Sequence, residues 1–277
     1  MIVALIDNGS LEPAAHRNLR AVADAVAANS GVKVHAVSWK HSDRISADAL
    51  DGTAAWCLPA FIGAMRALGH QSFLFIPFFI SAQGAVGSAL RRDLENLQVA
   101  AGTDRFEFGF TEGLAAHGVI PAIVADRIRA TKAELKLVCP PVIVVDHGGP
   151  SPTSGSLRDT IAAAVRTLLG SEISALTAAS MEGEDHPHNL PLLADQLAQP
   201  GFNHGDVVVA PLFLSPGRHA GPGGDLAEIA TAAEDHVAGT ALRCHFTALV
   251  GHHPLALEAL TRALRHALSP VHAESSP

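Results

Sequence analysis

Apolar residues occur along this chain in two alternating patterns. Short continuous runs such as FLFIP and VVVAPLFL are typical of parallel strands that are covered on both faces. Between the runs, apolar residues recur every three or four positions, as at Leu19, Val22, Ala23 and Val26, and this spacing predicts amphipathic helices. The predicted strands are 3–6, 32–37, 73–80, 106–110, 142–145, 173–179, 207–214 and 242–247. The predicted helices are 16–28, 54–68, 85–97, 121–135, 156–169, 190–197, 225–237 and 254–268.

The alternation runs through the sequence twice. The segment VALIDNGSLEP aligns with VIVVDHGGPSP, FLFIPFFIS with VVVAPLFLS, and FTEGLAAHGVIPAIVADRI with FTALVGHHPLALEALTRAL. Self-similarity at about half the chain length indicates two homologous units. We therefore predict an α/β fold of two lobes, residues 1–138 and 139–277, each a parallel four-stranded sheet flanked by helices in Rossmann-like layers.

Composition excludes several classes of function. The chain has 277 residues, 48% of them hydrophobic and 17% charged, which is enough apolar material for a full core. A net charge of −8 and the lack of any run of Lys or Arg argue against nucleic-acid binding. Cys57, Cys139 and Cys244 have no C-x-x-C spacing, so reduced thiols are expected. With neither a signal peptide nor a membrane-spanning run, the prediction is a cytoplasmic protein without a membrane or nucleic-acid partner.

Comparison of the two halves singles out three residues at the ends of predicted strands in the second half. His147 follows the first strand of that half, Glu182 the second and His219 the third. The carboxyl ends of parallel strands lie at one edge of a sheet, about 4.8 Å apart, so the three side chains can converge. The matching positions in the first half hold Asn8, Lys40 and Ala85.

Two imidazoles and a carboxylate suit a divalent ion such as cobalt, iron, nickel or zinc and leave coordination positions open. An amide, an ammonium and a methyl group do not, so one metal site is predicted, in the second lobe. Glu184 and Asp185 lie close enough to Glu182 that either could take its place. His252 recurs near a histidine of the first lobe, which favours a structural role, although it could also line the crevice.

The turn after the first strand of the second lobe supplies further candidates. The backbone amides of Gly148, Gly149 and Ser151 could meet a carboxylate of a ligand. Asp146 recurs as Asp7 in the first lobe, so we expect it to accept N–H groups of the turn, with support of the neighbouring histidine as the alternative. The chain has no G-x-G-x-x-G, no P-loop and no G-x-S-x-G elbow, which argues against dinucleotide binding, nucleotide binding and serine hydrolysis.

The second half resembles the CbiX-type sirohydrochlorin chelatases, which share the class II chelatase fold with protoporphyrin ferrochelatase. The segments that carry the resemblance are VIVVDHGGPSP, MEGE, PLFLSPGRH followed by Asp225 and Leu226, and VGHHPL, in the family's order. Asp146 and Gly149 depart from the family's usual residues, where small residues and serine are common. The first half resembles the family in layout and lacks the liganding residues.

The resemblance implies a lyase that inserts a divalent metal into sirohydrochlorin or a related tetrapyrrole, in cobalamin- or siroheme-type biosynthesis. It implies that His147 and His219 bind the metal with help from Glu182, and that the metal is a substrate, Co²⁺ first with Fe²⁺ and Ni²⁺ as alternatives, without an organic cofactor. Arg218 is a candidate for neutralising a substrate carboxylate, or else for a surface salt bridge. A monomer is expected because two lobes mimic a dimer. The alternative is a noncatalytic metal- or tetrapyrrole-binding protein.

Overall fold

A computed structural model describes residues 1–81, 85–102, 105–236 and 241–269. The last predicted position of the helix 225–237 and the chain from residue 270 onward lie outside these residues. The strands are β1 (Ile2–Asp7), β2 (Val34–Ser38), β3 (Trp56–Cys57), β4 (Ser72–Pro77), β5 (Glu107–Phe110), β6 (Val142–Asp146), β7 (Leu176–Ser180), β8 (Asp206–Pro211) and β9 (Arg243–Phe246). The helices are α1 (Pro13–Ser30), α2 (Leu58–Ala67), α3 (Ala85–Ala100), α4 (Ile120–Leu135), α5 (Pro152–Leu169), α6 (Leu193–Leu197), α7 (Asp225–His236) and α8 (Pro254–Leu268).

The strands form two parallel sheets, which confirms the α/β fold. One sheet has the order β3-β2-β1-β4-β5 and the other the order β7-β6-β8-β9. The prediction of four strands per sheet is therefore wrong for the first, which has a fifth, two-residue strand at its edge. That strand lies inside the predicted helix 54–68, which begins later, with Pro59 in its first turn, because proline fits the start of a helix.

The chain folds into two compact units. Of the described residues, those within 1–118 and 254–269 form the first unit, and those within 119–253 form the second. Helix α8, at the end of the sequence, therefore packs with the first unit, against α1, while α4 packs with the second, against α5. The boundary between the sequence repeats, at residue 138, does not coincide with this division, because each repeat ends in a helix that packs on the other sheet.

The apolar runs become the centre of the sheets. In the second unit, all four valine and isoleucine positions of β6 before Asp146 are fully buried, as is the run Val207–Val209 of β8. Leu193 of α6 and Leu226 of α7 pack against one face of this sheet. Burial on both faces explains why these strands are continuous in apolar residues rather than alternating.

Backbone hydrogen bonds confirm the alignment of the two repeats at the strand ends. The Trp39 N–H donates to the Asp7 carbonyl at 2.8 Å, and the Met181 N–H donates to the Asp146 carbonyl at 2.8 Å. The backbone at the carboxyl ends of these strands therefore has the same arrangement in both units. The side chains at matching positions can be compared directly. None of the helices in the described parts of the chain is long and apolar enough to cross a membrane.

Candidate metal-binding site

His147 and Glu182 are set beside each other by the ends of two neighbouring strands. His147 directly follows β6, and its carbonyl accepts the N–H of Glu182 at 3.2 Å. The next residue, Gly148, has φ of +83°, and a Cβ there would lie 2.0 Å from the Glu182 carbonyl oxygen. A glycine is therefore required for the two chain segments to approach this closely.

His219 reaches the same edge from the turn after β8. The turn is closed by its own backbone, since the Gly221 N–H donates to the Gly217 carbonyl at 2.8 Å and the Leu226 N–H to the His219 carbonyl at 3.1 Å. A Cβ at Gly224 would lie 2.2 Å from the Arg218 carbonyl oxygen. The glycines of this turn thus let it fold back tightly and lead into α7.

The three predicted ligands lie close together at this edge of the second unit. The ring centroids of His147 and His219 are 4.6 Å apart, with the ring planes perpendicular. The His147 Nδ1 lies 3.6 Å from the Glu182 Oε1. The side chains are 45%, 33% and 57% exposed for His147, His219 and Glu182, so all three are open to solvent. Among the described residues, no group of three or more His, Cys, Asp or Glu side chains already stands in position to hold one ion.

Each histidine uses its Nδ1 in a hydrogen bond. The His219 Nδ1 lies 2.6 Å from the Asp225 Oδ2, and the His147 Nδ1 lies 3.0 Å from the Gly148 carbonyl oxygen. An oxygen acceptor at Nδ1 assigns the proton to that atom and leaves the lone pair on Nε2. Both rings are therefore held in the tautomer whose Nε2 can coordinate a metal.

Beneath the site, the buried Arg158 faces the half-buried Asp146. Arg158 is 2% exposed, and its Nη1 donates to the Ser180 hydroxyl at 2.5 Å and lies 3.8 Å from the Asp146 Oδ1. Ser180 in turn donates to the Asp146 Oδ1 at 2.6 Å. Burial raises the pKa of Asp146, while the bonds from Ser180 and the backbone N–H of Gly148 and the charge of Arg158 oppose that rise. As predicted from the sequence, this carboxylate accepts an N–H of the turn.

The remaining predicted residues are spread around this edge. Arg218 is 80% exposed, with its Nε 3.8 Å from the Asp225 Oδ1. The Gly149 carbonyl accepts a hydrogen bond from the Asn189 Nδ2 at 3.2 Å. The half-buried Ser151 directly precedes α5. His252 is exposed in the turn that follows β9.

The first unit keeps the backbone arrangement of this edge without the candidate ligands. The Lys40 N–H donates to the Asn8 carbonyl at 3.2 Å, as Glu182 does to His147. The Lys40 ammonium lies 3.8 Å from the centre of the Trp39 ring and 3.8 Å from the Asp93 Oδ2. The side chain of Ala85 lies outside the described residues.

Two residues of the site have no predicted role from the sequence. In the sequence, Asp225 stands out only through the family resemblance, although a carboxylate six residues after a candidate ligand histidine, at the start of a helix, is a usable signal. Asn189 has no such signal, because its partners are backbone atoms of Gly149 and Gly183, and every residue carries such atoms.

Comparison with known proteins then places this geometry in a family context. Residues 141–267 match the family model CbiX. That match confirms the resemblance drawn from the motifs of the second half and covers the candidate ligands. A comparison with the sequences of curated proteins finds no match.

Solved structures with similar folds extend the likeness over the whole chain. SirB from Bacillus subtilis with Fe³⁺ is 12% identical with a TM-score of 0.68, over 99% of this chain and 98% of that one. The sirohydrochlorin chelatase SirB from Bacillus subtilis subspecies spizizenii in complex with cobalt is 11% identical with a TM-score of 0.63, over 96% and 95%. CbiX, the terminal enzyme for biosynthesis of siroheme in denitrifying bacteria, is 19% identical with a TM-score of 0.62, over 97% and 100%. The chain thus has the chelatase fold.

Proposed function

We propose that this protein is a chelatase, a lyase that inserts a divalent metal into sirohydrochlorin or a related tetrapyrrole. The observation that carries the proposal is the pair of perpendicular imidazole rings of His147 and His219, 4.6 Å apart at the carboxyl edge of one sheet. Both rings have Nδ1 engaged and Nε2 available. The CbiX match over residues 141–267 and the likeness to solved chelatases support the same reaction.

The two Nε2 atoms would bind the incoming metal at a distance of about 2.0–2.1 Å, which is typical of imidazole ligands. Glu182 lies beside His147 on an exposed, flexible side chain, so a change of rotamer would let its carboxylate reach the same ion. Two neutral imidazoles and one carboxylate bind the ion without surrounding it, which leaves positions for the pyrrole nitrogens. Glu184 and Asp185, on the same exposed loop, remain alternatives for that carboxylate.

Metallation also requires removal of two protons from pyrrole nitrogens. As the metal passes to the macrocycle, a histidine that releases it regains the lone pair on Nε2 and can accept a proton. Asp225 hydrogen-bonds the other side of the His219 ring and would stabilise the imidazolium so formed. Glu182, whose Oε1 lies 3.6 Å from the His147 Nδ1, would act on His147 through its charge, because that nitrogen is hydrogen-bonded to the Gly148 carbonyl.

Substrate carboxylates would meet Arg218, whose guanidinium is exposed next to His219. The backbone of Gly148 and Gly149, with Ser151 and His252, would provide further polar contacts. Co²⁺ is the metal we propose first. Fe²⁺ and Ni²⁺ remain alternatives, because the same ligands accept all three ions and availability selects among them. A monomer in the cytoplasm remains the prediction from the sequence.

The test is to mix the purified protein with sirohydrochlorin and Co²⁺, Fe²⁺ or Ni²⁺ in turn and to follow the absorption spectrum. An enzyme metallates more than one equivalent, whereas a binding protein, the alternative function, gives one stoichiometric change and stops. His147→Ala and His219→Ala should each remove most of the rate. His204→Ala is the matched control, because His204 is exposed in the turn before β8, at the opposite edge of the sheet. Unchanged rates in both ligand variants would refute the site.

A further inference from the structure

We propose that Asn189 is a positioning residue that holds the His147 segment and the Glu182 segment in the arrangement needed for metal binding. The proposal rests on the proposed function, in which those two side chains share one ion. Asn189 itself would touch neither metal nor tetrapyrrole.

The contacts of the Asn189 amide join the two segments directly. Its Oδ1 accepts the Gly149 N–H at 3.3 Å, and its Nδ2 donates to the Gly149 carbonyl at 3.2 Å and to the Gly183 carbonyl at 2.9 Å. Gly149 is two residues after His147, and Gly183 directly follows Glu182. One side chain, 1% exposed, therefore satisfies three backbone groups and links the carriers of two candidate ligands.

Asn189 is itself fixed from below. The buried Arg158 donates from Nη1 to the Asn189 carbonyl at 3.3 Å and from Nη2 to the His188 carbonyl at 3.1 Å. The His188 Nε2 lies 2.7 Å from the Gly149 carbonyl oxygen. A Cβ at Gly183 would lie 2.3 Å from the Asn189 Nδ2, so the glycine is what allows the amide to approach. We call the Asn189 side chain with its hydrogen bonds to Gly149 and Gly183 the clamp. Its backbone is held by Arg158, and its amide is held by the two glycines.

The first unit holds the equivalent backbone with a different side chain. There the Ser42 hydroxyl accepts the Ser10 N–H at 3.2 Å and donates to the Ser10 carbonyl at 3.0 Å. Ser10 aligns with Gly149, and Ser42 lies in the segment after Lys40, where no metal ligand stands. The same kind of clamp thus occurs once with candidate ligands beside it and once without, which provides an internal control.

The experiment compares Asn189→Ala and Asn189→Asp with Ser42→Ala in the full chain. The aspartate keeps the size of the side chain and the acceptor for Gly149 but removes both donors, so it tests the link if the alanine variant folds poorly. Co²⁺ is titrated without tetrapyrrole, and the Kd is read from the visible absorption of the bound ion. Loss of a group that orients metal ligands typically weakens affinity about 10- to 100-fold. Both Asn189 variants should fall in this range, whereas Ser42→Ala should keep the wild-type Kd.

Kinetics and hydrogen exchange separate this proposal from the proposed function. With turnover, the Asn189 variants should raise KM for Co²⁺ more than they lower kcat, because the clamp orders ligands before reaction. If the wild type binds Co²⁺ without turnover, the chelatase proposal fails and Kd alone decides the clamp. If it binds no Co²⁺, amide exchange decides: faster exchange at 147–149 and 182–184 in the Asn189 variants, with 8–10 unchanged, supports the clamp. Unchanged Kd where Co²⁺ binds, or unchanged exchange where it does not, overturns it.

Discussion

Replacing Asp7 by asparagine should stabilise the first unit at neutral and alkaline pH. Asp7 is buried at the end of β1, and its Oδ1 has no hydrogen-bond partner among the described residues. Its counterpart Asp146 has Arg158 beside it. Arg158 is six residues after Pro152, and the residue at the matching position, six after Pro13, is Leu19. The first unit thus keeps the carboxyl group and lacks the cation.

The size of the effect follows from the pKa. Burial raises the pKa of Asp7 from 3.8 to about 6, although the hydrogen bond from Ser38 opposes that rise. A raised folded-state pKa means that the fold favours the protonated acid: the stability it contributes is complete below about pH 3.8 and is lost as pH rises through about 6. The shift of about two units corresponds to about 3 kcal/mol at pH 8, at about 1.4 kcal/mol per unit. Asparagine is neutral at all pH values and should recover most of this.

Tryptophan fluorescence reports on this unit alone, because the protein's two tryptophans, Trp39 and Trp56, both belong to it. Urea unfolding of wild type and Asp7→Asn should give similar stabilities near pH 4 and a gap of about 2–3 kcal/mol in favour of the variant at pH 8. His16, whose pKa burial lowers to about 4, loses its contribution as pH falls, but it is neutral at pH 8 and therefore adds nothing to the gap measured there.

The reasoning is refuted if Asp7→Asn is destabilised at pH 8, or if the gap between the two proteins does not change with pH. Asp146→Asn is the matched control at the equivalent position. Burial also raises the pKa of Asp146, but the charge of Arg158 opposes that rise, so the gain at pH 8 should be smaller than for Asp7→Asn. Amide exchange in β6 and α5 measures the effect, because the second unit has no tryptophan.

Two further predictions concern the candidate metal site. Gly148→Ala places a Cβ against the Glu182 carbonyl at positive φ, which costs at least about 1–2 kcal/mol, and it should weaken Co²⁺ binding, measured by titration. Gly9→Ala meets the same clash in the first unit and should lower the melting temperature with the Kd unchanged; equal losses of affinity in the two variants would contradict the assignment. Asp225→Asn removes the charge behind the His219 ring and should reduce metallation about 10- to 100-fold with little change in melting temperature. A rate within twofold of wild type would show that Asp225 does not support that histidine.

The strand ends show most clearly what can be predicted from the sequence. The internal repeat alone brings out His147, Glu182 and His219 as differences at matched positions, and the fold places them at one edge. This works because parallel strands end at the same edge of a sheet, so position along a strand determines position in space. The same alignment pairs Asp7 with Asp146.

Long-range contacts decided the rest. A two-residue strand such as β3 has too short a pattern to separate it from a helix start. Which sheet α4 and α8 cover depends on packing between segments far apart in the chain, and apolar spacing on a helix does not say which partner it will meet. The contacts of Asn189 are to backbone atoms, which every residue has, and therefore leave no residue pattern to find.

The sequence by itself determined the class of fold, the repeat and the candidate metal ligands, because these depend on periodicity and on residue chemistry. The tertiary structure decided which nitrogen of each histidine stays available, since Asp225 and the Gly148 carbonyl take the other. It also decided that, of the two equivalent aspartates Asp7 and Asp146, Asp146 has Arg158 beside it, whereas Leu19 stands at the matching position near Asp7. Both outcomes are set by neighbours brought together only when the chain folds.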